Sequence, residues 1–203
     1  LDFWKTRHYI QHKWIETYDL KPVPESLLDF ALSKKITSAL DFDCASGNFL
    51  YELKKKNIKT CCYGIDINKN ALNTCNKKFN KLDSLKKTYF FDSHTNNKKL
   101  NRFLEANYIN KFDLIIFDRS LYCLNDRELM KQLNILTNYA KIILINDFML
   151  DNNLEISGYI HRNWIDIMKN FDFDYESSIL NMQPKIEKAN PRALIFKNKN
   201  ASI

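Results

Sequence analysis

Short apolar runs alternate along the chain with longer polar segments whose apolar residues return every three or four positions. The runs fall at residues 38–42, 61–67, 88–91, 112–117, 141–145, 175–180 and 193–196, each the length of a buried strand. Between the first five lie residues 48–57, 70–82, 100–109 and 127–139, which carry helical periodicity; in the last of these Leu129, Leu133, Leu136 and Tyr139 share one face. This alternation predicts an α/β fold: βαβ units forming a mostly parallel sheet of seven strands, with helices on both faces. The rhythm breaks after a helix at 164–171. The last two runs are joined by residues 181–192, a polar stretch with Pro184 and Pro191, and are expected to pair as an antiparallel C-terminal edge. Ahead of the sheet, Pro22 and Pro24 separate an aromatic segment from a helix at 25–32. With no internal repeat and no low-complexity linker, the expectation is one domain over residues 1–203, with 1–24 as an extension or lid and 36–203 as the core.

Size and composition agree with this reading. A chain of 203 residues, 45% hydrophobic and 13% aromatic, can bury a sizeable core without disulfides. No apolar run approaches the roughly 20 residues that a membrane helix needs, and the N-terminal stretch is aromatic and charged, without an apolar signal core. A soluble protein with no membrane partner is expected; the lack of an initiator Met suggests a short segment upstream. Cys44, Cys61, Cys62, Cys75 and Cys123 form no CxxC pair, which speaks against a zinc site or a secreted disulfide framework and for a reducing, cytoplasmic setting. A net charge of +7 favours an acidic or phosphorylated partner, yet the basic residues are scattered. Abundant Lys and Asn with only 3 Gly is also what biased coding DNA produces.

Two stretches carry chemistry. Ala39-Leu40-Asp41-Phe42-Asp43-Cys44-Ala45-Ser46-Gly47-Asn48-Phe49-Leu50 reads as an apolar strand, a tight small-residue loop and a helix start, an arrangement that sets backbone N–H groups against a polar ligand. Further on, Tyr63-Gly64-Ile65-Asp66-Ile67-Asn68 is a second strand ending in an acid, and a carboxylate there can accept two hydrogen bonds from a ribose diol. A carboxylate in the loop, Asp43, would repel a pyrophosphate, which argues against a dinucleotide.

On these residues the sequence resembles the class I, Rossmann-like S-adenosylmethionine methyltransferases, whose first strand and loop read Leu-Asp-x-Gly-x-Gly-x-Gly and whose second strand ends Gly-x-Asp. Asp41, Gly47 and Asn48 match the loop, Asp66 matches the ribose-binding acid, Phe91-Asp92-Ser93 is similar to the adenine-holding third motif, and the stretch from Phe112 to Asp118 to the fourth. The resemblance implies S-adenosyl-L-methionine as cofactor, no metal, and a cofactor site drawn from Asp41, Asp43, Cys44, Ala45, Gly47, Asn48, Asp66, Ile67, Asp92, Ser93, Asp118 and Arg7. The departure is that Asp43 and Ala45 stand where the family has its first two glycines. A weaker similarity lies in Phe117-Asp118-Arg119-Ser120-Leu121-Tyr122, which is like the Asp-Arg-Gly-x-Leu-His stretch of thiol, halide and thiopurine methyltransferases, with Ser120 for Gly and Tyr122 for His. Those relatives also often begin with an aromatic segment such as Phe3-Trp4-Lys5-Thr6-Arg7 with a second Trp, here Trp14.

In methyl transfer the sulfonium already supplies activation, so the protein mainly positions the reactants and excludes water; a general base is optional. Tyr122, His161 and His12 are the catalytic candidates, with His8 and Asp118 behind them, and a packing role stands beside each. Arg7, Arg119 and Arg162 could bind a carboxylate or phosphate, or serve as surface ion-pair partners. Trp4, Tyr9, Trp14 and Tyr18 fit either an amphipathic helix on the sheet's rim or a lid. The expected acceptor is a small molecule or a sugar-like one. The alternatives are an RNA methyltransferase, which the basic balance favours, and a degenerate binding or scaffold protein, which Asp43 favours.

Overall fold

The computed structural model describes residues 23, 25–66, 69–82, 88–91, 97–106, 110–147, 154–156, 159–180 and 192–201. Helix α1 (Glu25–Ser33) precedes β1 (Ser38–Phe42), α2 (Asn48–Lys56), β2 (Cys61–Ile65), α3 (Lys69–Phe79), β3 (Thr88–Phe91), α4 (Asn97–Ala106) and β4 (Phe112–Asp118). A 3₁₀ turn (Leu121–Cys123) leads into α5 (Asp126–Leu136), and a second (Thr137–Tyr139) into β5 (Ala140–Asn146). The chain continues through a hairpin of β6 (Leu154–Ile156) and β7 (Tyr159–His161), then α6 (Trp164–Lys169), β8 (Phe173–Leu180) and β9 (Arg192–Asn198).

Seven strands form one sheet in the order β3-β2-β1-β4-β5-β9-β8. The first five are parallel, and β9 lies antiparallel between β5 and β8. Strand order reverses between β1 and β4, the place where open parallel sheets form a ligand crevice.

The strands read as nearly unbroken apolar runs because helices cover both faces. On one face Leu40, Phe42, Ile115, Phe117, Ile143 and Ile145 pack with Leu129, Leu133 and Leu136 of α5 and Trp164 and Met168 of α6. Their neighbours Ala39, Leu114, Ile116 and Leu144 point the other way, against Leu27, Leu28 and Ala31 of α1 and Phe49, Leu50 and Leu53 of α2. Two helices start on asparagine caps: Asn125 accepts from Glu128 N–H at 2.9 Å, and Asn163 from Asp166 N–H at 3.3 Å.

The β6–β7 hairpin has no counterpart in the expected elements. Its strands are three residues each, too short for periodicity to register; the only signal was the Ser157-Gly158 dipeptide between two short alternating runs. No helix among the described residues is long and apolar enough to cross a membrane.

Candidate functional site

Register, before any side chain is considered, collects the acids. Phe42 pairs with Ile65 on one side and Phe117 on the other, and Phe117 pairs with Ile145, so four strands end level. The next residue along each is Asp43, Asp66, Asp118 and Asn146, a polar row across the carboxyl ends of β2, β1, β4 and β5.

From β1 the chain makes an unusual loop. Asp43, Ala45 and Gly47 all have left-handed backbones, with φ of 61°, 47° and 71°. These are the three positions at which the related motif carries glycine, so the glycine-type conformation is kept although only one glycine remains. For Ala45 the left-handed region costs roughly 1–2 kcal/mol; an Asp tolerates it better. Gly47 has a further reason to be glycine, since a Cβ there would lie 2.9 Å from Cys75 Sγ.

The loop is tied down largely by its own amides. Cys44 N–H donates to Ile65 carbonyl at 3.0 Å, Ala45 N–H to Asp66 Oδ2 at 2.8 Å, and Gly47 N–H to Cys44 carbonyl at 2.7 Å. This corrects the expectation that the loop's N–H groups as a set face a ligand: these three are engaged within the protein. Cys44 itself packs with Leu72 and Cys75 under the loop, where burial, then its contact with the Cys75 thiol and the nearby Asp41 and Asp66, pushes its thiol well above the ordinary range.

Asp41 is buried, and its Oδ1 has no hydrogen-bond partner among the described residues. Burial, followed by repulsion from Asp118, Asp43 and Asp66 and against some relief from Arg119, raises its carboxyl well above the usual carboxylate range. An orphaned buried carboxyl oxygen beside three further acids is a place for a cation that donates hydrogen bonds.

The β4 side is held by a second network. Arg119 (φ 55°) donates from Nε and Nη2 to the two oxygens of Asp118, each at 3.1 Å; Asn146 Nδ2 donates to Asp118 Oδ1 at 2.6 Å, and Arg119 N–H to Asn146 carbonyl at 2.8 Å. Burial works against the Arg119 charge, but Asp118, Tyr122 and Asp147 outweigh it and its pKa is raised. Tyr122 N–H donates to the buried Asp147 at 2.9 Å, which fixes the tyrosine at the edge of the same crevice.

Arg162 is neither of the things the sequence suggested. It is 0% exposed, donates to the carbonyls of Leu121 at 3.1 Å and Leu124 at 2.6 Å and to Asp126 Oδ1 at 2.9 Å, and its guanidinium lies 5.8 Å from the centre of the Trp164 ring. It is an internal strut for the segment that carries Tyr122. The backbone of His161 pairs with Leu154 in the adjoining hairpin.

Of the expected site residues, Asp41, Asp43, Cys44, Ala45, Gly47, Asn48, Asp66, Asp118 and Tyr122 stand at the ends of the parallel strands. Arg7, His8, His12, Ile67, Asp92 and Ser93 lie outside the described residues, as do Trp4, Tyr9, Trp14 and Tyr18. Asn146, Asp147 and Lys78 were missed: Asn146 ends β5 and Asp147 follows it, at a point where the apolar run simply stops, and Lys78 lies in a helix whose polar face gave no distinguishing signal.

A methyltransferase-domain family profile matches residues 33–190. No curated protein matches. Among solved structures the methyltransferase domain of a bacterial CtHen1 aligns with a TM-score of 0.67 at 14% identity, over 86% of this chain and 95% of that one. A TehB-like S-adenosylmethionine-dependent methyltransferase from Corynebacterium glutamicum gives 0.66 at 13%, over 96% and 98%, and a mitomycin 7-O-methyltransferase 0.60 at 11%, over 86% and 53%. The orphaned oxygen of Asp41 and the left-handed loop beneath it suit the cationic methionyl part of S-adenosyl-L-methionine. With the profile spanning most of its length, the chain belongs to the methyltransferase-domain family and is an S-adenosyl-L-methionine-dependent methyltransferase.

Proposed function

We propose that this enzyme methylates a small, uncharged or cationic acceptor, and that the acceptor sits over the ends of β4 and β5. The observation that carries the reading is the sign of the site. Asp41, Asp43, Asp66, Asp118 and Asp147 surround it among the described residues, against Arg119, which pairs with Asp118, and Lys78, which is turned to Ser46 and Asn48 of the loop. A run of phosphates would be repelled there, whereas a cationic cofactor and a neutral hydroxyl, thiol or amine acceptor would not.

Within this reading Asp43 and Asp41 hold the methionyl ammonium, and Asp66 accepts from the ribose while its other bond keeps Ala45 in place. Asp92 and Ser93 flank the adenine, with Ile67 and Arg7 completing the cofactor site. The bound cofactor supplies an activated methyl group, so the protein's task is alignment and exclusion of water. Asp118, fixed by Asn146 and Arg119, and Tyr122, fixed by Asp147, position the acceptor from the β4 side. Tyr122, His161 and His12 are the candidates to take a proton from it, and residues 1–24 are the candidate lid.

The test is calorimetric titration of S-adenosylmethionine into the parent and Asp66→Ala. The variant should lose about 1.5–3 kcal/mol, the range for a hydrogen bond to a charged group. Unchanged affinity removes the Asp66 role, and a parent that takes no cofactor favours the scaffold alternative.

A further inference from the structure

The loop poses a question that its own residues do not answer. Two of its three left-handed positions carry side chains, and such a backbone persists only where the surroundings over-determine it. The amide ties described above start from Cys44, Ala45 and Gly47, and the carbonyl and side chain on either side of Gly47, where the chain turns into α2, are held from outside by Lys78 at the end of α3.

Lys78 Nζ donates to the Ser46 carbonyl at 3.0 Å and to Asn48 Oδ1 at 2.9 Å, and lies 5.5 Å from the centre of the Tyr51 ring. Asn48 Oδ1 also receives the Ser46 hydroxyl at 3.1 Å, so a single ammonium gathers both residues that flank Gly47. Cys75, one turn back on α3, donates its thiol to the Ala45 carbonyl at 3.2 Å. From α3 these two side chains thus grip the carbonyl side of the loop, while β2 grips its amides.

We propose that Lys78 is a positioning residue for S-adenosylmethionine binding: its ammonium, bonded to Ser46 and Asn48, holds the half of the loop that turns into α2 in the ligand-ready conformation, so that cofactor affinity follows its charge. This rests on the methyltransferase reading above.

The groups facing Lys78 are Cys75 on its own helix and Tyr51, Glu52 and Lys55 on α2. Glu52 is taken by Lys55 at 3.1 Å, so Lys78 is held mainly by neutral acceptors and a ring face. Half-burial among them lowers its pKa, with Cys75 and Glu52 opposing. As pH rises the clamp therefore loses its charge earlier than an exposed lysine would, and its two bonds weaken from charge-assisted to neutral.

The experiment titrates S-adenosylhomocysteine into the parent, Lys78→Met and Lys78→Arg from pH 7 to pH 10, with melting curves and amide exchange of residues 44–48 recorded without ligand. Lys78→Met should bind roughly tenfold more weakly at pH 7 and exchange faster in the loop, and Lys78→Arg should stay within roughly threefold of the parent. The parent's advantage over Lys78→Met should shrink toward pH 10; titration of the ligand's own amine is common to all three and cancels in the ratio. A Lys78→Met that binds like the parent overturns the assignment alone. So does an equal loss in both variants with a pH-independent ratio, which would mark plain packing. A parent that takes no ligand at any pH overturns the methyltransferase reading and the positioning role with it.

Discussion

At the residue scale the site holds its strain in two forms, backbone and charge, and each is separable by a single substitution. Ala45 sits at φ 47° with no side chain able to make a local hydrogen bond. Ala45→Gly should raise stability by about 0.5–1 kcal/mol in urea denaturation, the relief of the left-handed penalty less the entropy glycine gives up. Asp43→Gly relieves less strain, since Asp tolerates the left-handed region better than Ala, and it removes the carboxylate that the proposed reading sets against the methionyl ammonium, so on that reading it should bind S-adenosylmethionine more weakly than the parent. A parent that is silent until Asp43 becomes Gly would mean instead that the loop is closed. Asp41 carries the charge strain. Its folded pKa lies above the unfolded one, so its penalty grows as pH rises from the unfolded value near 4 through the folded one. Asp41→Asn should therefore stabilise the unliganded protein at neutral pH, by about 1–3 kcal/mol, with the gain vanishing toward pH 4. Saturating cofactor should shrink that gain by favouring the parent. Equal denaturation midpoints for Asp41→Asn and the parent at pH 7.5 would count against the repulsion.

At the element scale two side chains tie strands and loops together, and neither was legible in the sequence. Asp113, at the start of β4, accepts from Thr37 N–H at 2.8 Å and Ser38 N–H at 3.1 Å, both at the start of β1, and from Lys141 of β5 at 2.8 Å. Burial opposes its charge, but the Lys141 and Thr37 bonds outweigh it, and its pKa is lowered. The stabilisation is thus present above the unfolded carboxylate value and lost as pH falls through the folded one. Asp113→Asn should cost about 2 kcal/mol at pH 7 and little at pH 2, read from denaturation midpoints. Arg162→Met leaves the Leu121 and Leu124 carbonyls without their donor and should cost about 3 kcal/mol, whereas Asp126→Asn, which changes a side chain that is itself 79% exposed, should cost under about 1. The sheet strands and the helices among the described residues were readable because their apolar faces repeat with a fixed period over several turns or alternations. The cross-links were not, because Asp113 of β4 must find Thr37 of β1, and Arg162 must find Leu121, through topology that no local pattern records. The same reason hid Lys78, while Asp41 and Asp66 were visible since they end strands next to a turn.

At the scale of the whole molecule the net charge and the site charge have opposite signs, and topology reconciles them. Every parallel strand starts at one edge of the sheet and ends at the other. Exposed Lys35, Lys59 and Lys111 lie within three residues before β1, β2 and β4, while Asp43 and Asp66 directly follow β1 and β2 and Asp118 ends β4. Among the described residues these lysines stand at the amino ends of the strands and these acids at the carboxyl ends, where strand order reverses. An RNA acceptor would be attracted by the far edge and repelled by the site, and at separations beyond the roughly 8–10 Å over which salt screens charge, the first effect would not help the second. Methyl acceptance by cell extract, measured with labelled cofactor, should accordingly survive nuclease digestion and pass through a small-pore filter with the acceptor. Added tRNA should bind with a steep salt dependence if at all, and should not compete with S-adenosylhomocysteine. If digestion of RNA abolishes acceptance, or if tRNA displaces the cofactor product at physiological salt, the acid row does not govern acceptor choice and the enzyme's substrate is RNA.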